Sequence, residues 1–317
     1  MILPPEPNWT RTLALVLVGA VAVKAAACTT PGPSSPGGAT TVDDRTSNAF
    51  SLPAPNLTAA ELAEHLRGDV AFDATFVSGA APVHGGLGAR FNNTACAGCH
   101  NRDGRGRATA GDGPTSQALV RLSLADGTPE VPGGVVPVPG HGTQLQDHAV
   151  FGVAPEGHVG IAWRAEPGAY GDGEPYVLRR PAVTITVAGT ALDPGVLTSL
   201  RMAPAVFGLG LLEAIDEATL AALADPDDAD RDGISGRLNV VWDPQAGATR
   251  VGRFGVKANT SDLLLQTAAA YANDMGIGNA VVADSDAQRA ELAPAVLDAA
   301  AFYVRTLAVP ARAPLTA

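Results

Sequence analysis

Cys96, Cys99 and His100 belong to the run Cys-Ala-Gly-Cys-His at residues 96–100. Two thiols three residues apart, followed at once by an imidazole, are the residue types that hold a c-type haem. Each sulfur forms a thioether with a haem vinyl group, and the imidazole ligates the iron. Helical spacing suits this chemistry, because side chains at i, i+3 and i+4 share one face. With 3 Cys and 6 His in 317 residues, chance rarely assembles such a run. Two rival chemistries use the same pair. A redox dithiol belongs in a βαβ context, and no clear strand precedes Phe91. Structural zinc needs four ligands. The only other thiol is Cys28, and His65, His84, His141, His148 and His158 contain no HxxxH pair.

The elements that must position this run are expected to be mainly helical. A short helix over 94–101 would carry the cysteines, with Asn92, Asn93 or Thr94 as N-cap and Gly104 and Gly106 as its end. Residues 57–66 read as a helix opened by a Thr58–Glu61 capping box. Further helices are expected over 208–223, 263–274 and 286–307, the last with a break at Pro294. Residues 104–174 are rich in Gly and Pro and read as loops and short strands. The best strand signal is 176–188, which Pro181 splits, so hairpin or edge strands are expected there. The fold class is therefore expected to be mainly α with minor β: a cytochrome c-like haem domain with loop-rich insertions over 57–317.

Arg11, the apolar run 13–23 and the small residues Ala25 to Ala27 before Cys28 form a targeting segment. The run is short for a membrane span and is interrupted at Lys24. It reads as a secretory leader over 1–28, ending at a lipid-modified Cys28. Ala25 stands where such leaders usually carry Leu; an ordinary signal peptide and an uncleaved anchor are the alternatives. Residues 29–56, rich in Pro, Gly, Ser and Thr, read as a flexible linker. The body is then expected in the periplasm or cell envelope, reaching the membrane only through the lipid on Cys28. A net charge of −11 argues against nucleic acid as a partner.

A second run suggests metal. Asp228, Asp230 and Asp232 stand at positions one, three and five of a calcium-type loop, Gly233 at the turn, and Ile234 where a backbone carbonyl is used. Position twelve is Asn239 rather than Glu, which weakens the site, although Asp225 and Asp227 could compensate. The alternative is an acidic, solvated turn.

Several blocks in order, FNNTACAGCHNRDGRGR, TQLQDHAVFGVAPEGHVGI, SLRMAPAVFGLGLLEAI, ADPDDADRDGISGRLNVVWD, GRFGVKAN and NDMGI, resemble the di-haem oxidoreductase family across about residues 70–311. That family is similar in organisation to bacterial di-haem cytochrome c peroxidases. The resemblance implies a periplasmic c-type haem protein with electron-transfer and peroxidase activity, in which Cys96 and Cys99 attach haem and His100 is the proximal ligand. It also implies a second haem domain with its own CxxCH, and this sequence holds one such run. A truncated or single-haem form is expected, relying on a partner such as a small cytochrome.

The ligand opposite His100 decides the chemistry. A Met or His there closes the iron for electron transfer, and an open position admits peroxide. Met202 and Met275 are the first candidates; His84, His141, His148 and His158 are the others. At an open site Glu213 and Gln144 are candidate acid, base or hydrogen-bonding groups. Arg201 is a candidate partner for a haem propionate. Three functions remain: a one-haem electron carrier or oxidoreductase, a peroxidase fed by a partner cytochrome, and a calcium-stabilised lipoprotein that binds a partner.

Overall fold

The computed structural model describes residues 35–108, 110–112, 117–282 and 291–312. The leader with Cys28 and the first part of the last expected helix lie outside these residues. Helices α1 (Ala59–Asp73), α2 (Cys96–Cys99), α3 (Leu209–Glu213), α4 (Glu217–Ala222), α5 (Leu263–Met275) and α6 (Pro294–Thr306) are joined by five small sheets among the described residues. The strands are β1 (Thr41–Val42), β2 (Arg90–Phe91), β3 (Gly111–Asp112), β4 (Ala118–Leu124), β5 (Gln144–Leu145), β6 (His148–Ala149), β7 (Gly157–Ala169), β8 (Pro175–Val187), β9 (Thr190–Ala191), β10 (Val196–Met202), β11 (Val240–Asp243), β12 (Ala248–Val251) and β13 (Val309–Pro310).

The expectation of a mainly α chain is wrong: helix accounts for 23% and strand for 27%. The excess strand lies mostly between β3 and β10. The β7–β8 hairpin pairs 13 residues against 13, from Gly157↔Val187 to Ala169↔Pro175. Its outer half is largely exposed on both faces, so no alternation of apolar and polar residues announces it. Pro181 does not split β8. It lies opposite Trp163, where β8 has β7 on one side and an open edge on the other, so its missing N–H removes no ladder bond.

Helix α1 starts as expected. Thr58 accepts from the Glu61 amide while the Glu61 carboxylate accepts from the Thr58 amide. It then runs on to Asp73. Gly68 lets α1 touch α6: a Cβ there would lie 2.1 Å from the Ala299 carbonyl oxygen and 2.6 Å from Tyr303 Cβ. The expected helix over 208–223 is two, because Asp216 leaves the helix and caps α4 through the Thr219 amide. Pro294 opens α6 instead of breaking it; at the first helical turn a proline lacks only an N–H that has no partner there.

Helices α1, α5 and α6 enclose two adjoining apolar clusters. One holds Phe76, Phe91, Tyr271, Met275 and Leu297; the other holds Phe72, Phe254, Leu263, Tyr303 and Leu307. Cys96 packs against both. A third cluster, with Val120, Leu122, Leu145, Val159 and Ile161, fills the space between the β4 and β7 sheets. Part of the expected linker is packed. β1 pairs with β13, and the Ala54 and Ala308 amides bond to Thr306 and Leu52. No helix among the described residues is long and apolar enough to cross a membrane.

Candidate haem-binding site

Cys96 and Cys99 lie on one helical turn, shorter than the expected 94–101. Its N-cap is Ala95, whose side chain offers no hydrogen bond. The Asn93 side chain accepts instead from the Thr94 amide, and Gly98 presses against it. A Cβ on Gly98 would stand 2.1 Å from Asn93 Oδ1, so the middle of the run must be small. The His100 amide closes the turn on the Cys96 carbonyl at 2.9 Å. Past it the chain turns sharply, with Arg102 and Asp103 both in the left-handed region at φ 51° and 58°.

His100 Nδ1 lies 2.7 Å from the Pro204 carbonyl oxygen. A carbonyl only accepts, so Nδ1 carries the proton and Nε2 keeps its lone pair. Burial lowers the His100 pKa, partly offset by this bond, and keeps the ring neutral. The segment holding Pro204 is tied to the haem run twice more: the Gly106 amide bonds to Ala203 O at 2.9 Å, and the Val206 amide to Asp103 O at 3.0 Å. Sequence reading missed Pro204. It stands in the block SLRMAPAV two residues after Met202, and no local spacing marks it as a partner of His100.

No disulfide joins Cys96 and Cys99. Removal from water, with the Asp274 carboxylate nearby, pushes both up to about 12. A redox dithiol or a thiolate–zinc site needs the opposite shift. Thioether sulfurs carry no charge, so this environment fits covalent haem. The neutral His100 with a free Nε2 fits an iron ligand.

A buried polar network adjoins the cysteines. Gln144 donates to Asn92 Oδ1 at 2.8 Å and to Asp274 Oδ1 at 2.7 Å, and accepts from Arg121 at 2.8 Å. Asn92 donates to Asp147 Oδ1 at 2.9 Å, and that oxygen also meets His148 Nδ1 at 2.9 Å. Asp147 is near enough to Cys99 to raise its pKa, and burial raises that of Asp274. On the other flank an aromatic row leads away from the ligand. Phe72 lies 6.1 Å from His100, Tyr303 5.3 Å from Phe72, and His65 4.7 Å from Tyr303.

The other sequence candidates are scattered. Met275 ends α5, 2% exposed, in the cluster that Cys96 joins. Met202 is 39% exposed, and its register opposite Ala118 sets it on the other sheet face from Arg121 and Gln144. Arg201 shares the Arg121 face. Glu213 bonds to the Arg305 guanidinium through both oxygens and accepts from the Leu263 amide at 2.8 Å, joining α3, α5 and α6. His84 packs on Phe76, His141 lies 4.0 Å from Glu156, and His158 is on the exposed side of β7.

In the acidic loop, Asp225, Asp228 and Asp230 can place oxygens within 4.8 Å of one another. Asp232 does not join that group and accepts from the Ile234 amide at 2.7 Å. Asn239 turns away, donating to Lys257 O and Ala258 O at 3.0 Å each. Within the loop the Gly233 amide donates to Asp228 Oδ1 at 3.2 Å, while the Asn239 side-chain amide bonds outside it.

Searches of curated proteins and of solved structures found no match. The family model described as "Di-haem oxidoreductase, putative peroxidase" matches residues 32–298. That stretch spans most of the chain and contains the haem run, Pro204 and the buried polar network. The chain therefore belongs to the di-haem oxidoreductase family, a family of haem-based oxidoreductases.

Proposed function

We propose that this chain is an extracytoplasmic c-type haem protein that carries one covalent haem at Cys96 and Cys99 and exchanges electrons with a protein partner. The observation that carries it is the His100–Pro204 bond, which leaves Nε2 free beside two uncharged sulfurs. Haem bound there supplies a one-electron iron couple. Pro204 holds the imidazole in one tautomer and orientation. The network around Gln144 fixes the neighbouring backbone and keeps Asp274 from lying unpartnered in the interior. Of the two methionines, Met275 is the one that would serve as a further ligand to the haem iron, being buried in the cluster that Cys96 joins. A small cytochrome is the partner class, and the leader ending at Cys28 is read as a lipid anchor. Asp225, Asp228 and Asp230 are the residues that would hold calcium.

The test is the exported protein itself. Its mass should exceed the polypeptide by one haem, and its colour should survive acid–acetone extraction. Cys96→Ala with Cys99→Ala should be colourless after extraction. Exported wild-type protein with the mass of bare polypeptide overturns the proposal.

A second reading, peroxidase, is favoured by the Asp147–His148 pair beside Cys99. The Asp147 carboxylate holds the proton on Nδ1, leaving Nε2 of His148 as a base. It predicts a five-coordinate, high-spin iron and peroxide turnover whose pH profile changes in His148→Gln. A six-coordinate, low-spin iron indifferent to peroxide in both oxidation states sinks this reading and leaves the first intact.

A further inference from the structure

A cavity of about 400 Å³ lies between one face of the β4–β10 sheet, the loop at 130–137, and residues 239 and 257–259. The strand register decides what faces it. Val120, Leu122 and their partners point into the apolar cluster between sheets. The alternate positions, Arg121 and Ser123 on β4 with Leu197, Ser199 and Arg201 on β10, therefore line the opposite face. Arg121 stands opposite Ser199 and Arg201 opposite Leu119, so the two guanidiniums are diagonal neighbours on one face. Lys257 adds a third cation, and Glu130 is the single carboxylate in the lining.

Among the described residues, neither arginine has a carboxylate within ion-pair distance. Arg121 is half-buried and bonds only to the neutral oxygens of Gln144 at 2.8 Å and Thr143 at 3.1 Å. Arg201 reaches only Ser199 Oγ, at 3.5 Å. Burial lowers the Arg121 pKa, Asp274 partly offsets this, and Arg201 adds to the lowering. Clustered cations with neutral partners form a receptor for an anion, and planar guanidiniums match the two oxygens of a carboxylate.

We propose that this cavity binds a carboxylate through Arg121, Arg201 and Lys257. Two sources share that chemistry: a propionate of the bound haem, reached along the Arg121–Gln144 side of the network, or a free small dicarboxylate. The second source does not depend on the haem reading, so failure of one is distinguishable from failure of the other.

The experiment titrates succinate into the purified, exported full-length protein by calorimetry. It compares wild type with Arg201→Gln and Lys257→Gln, and with Arg164→Gln on the exposed hairpin as a charge control. Circular dichroism checks that each variant is folded. Saturable binding that each cavity variant weakens at least tenfold, and the control does not, supports a free carboxylate ligand. No succinate binding, together with a pH dependence of the haem midpoint potential altered in both cavity variants but not in the control, supports a propionate. Absence of both effects, or a control as affected as the cavity variants, overturns the proposal.

Discussion

At the scale of the residue, the haem run is defined by what its neighbours forbid as much as by what they supply. Asn93 leaves no room for a Cβ at residue 98, and Pro204 offers His100 Nδ1 an acceptor and nothing else. Gln144 is the residue on which the buried polar groups converge. It donates to Asn92 and Asp274 and accepts from Arg121. Gln144→Leu would keep the volume and strip a partner from each of three groups in or near the interior. Each unsatisfied group costs about 1–3 kcal/mol, so the variant should lose about 3 kcal/mol or more of stability in urea denaturation. A loss under about 1 kcal/mol would mean that water reaches these groups.

At the scale of the element, the α1–α6 contact and the Glu213 bridge hold the helices around the cysteines. Gly68→Ala places a methyl group against the α6 backbone, which cannot retreat as a side chain could. Overpacking of this kind costs about 1–3 kcal/mol, and a lowered melting temperature with haem still attached is expected. An unchanged melting temperature would show that the helices can separate freely.

Glu213 gives a pH test. Burial alone would raise its carboxyl, but Arg305, the Leu263 amide and Arg253 together bring it below its ordinary 4.5. Its contribution is thus fully present above pH 4.5 and fades as pH falls through the lower folded value. Arg305 is more than a third exposed, so solvent weakens the pair. Glu213→Gln should cost about 1 kcal/mol at neutral pH, and the gap from wild type should close in acid. A gap that persists well below pH 4 would place the effect in packing rather than charge.

At the scale of the whole molecule, a net charge of −11 shapes encounters with partners. A basic cytochrome donor should be drawn in at low salt and released from that attraction as salt rises. The second-order electron-exchange rate with such a donor should fall by about tenfold or more between about 0.01 and 0.2 M salt. A flat rate in stopped-flow measurements would mean that the docking face is locally neutral.

The sequence alone determined the haem run, the capping box of α1, the helix over α5 and the family. Each is written in local spacing, and local spacing survives whatever the rest of the chain does. It did not determine the balance of helix and strand, because the outer half of the β7–β8 hairpin is largely exposed on both faces and carries no periodic signal. Asn239 shows the same limit in the acidic loop: its spacing fits calcium, while its side-chain amide bonds to Lys257 and Ala258. Only tertiary structure set Pro204 behind His100, more than a hundred residues away, and gathered Arg121, Gln144 and Asp274 into one network. Such pairings depend on strand register and helix crossing, and those are decided by how distant apolar faces are buried together.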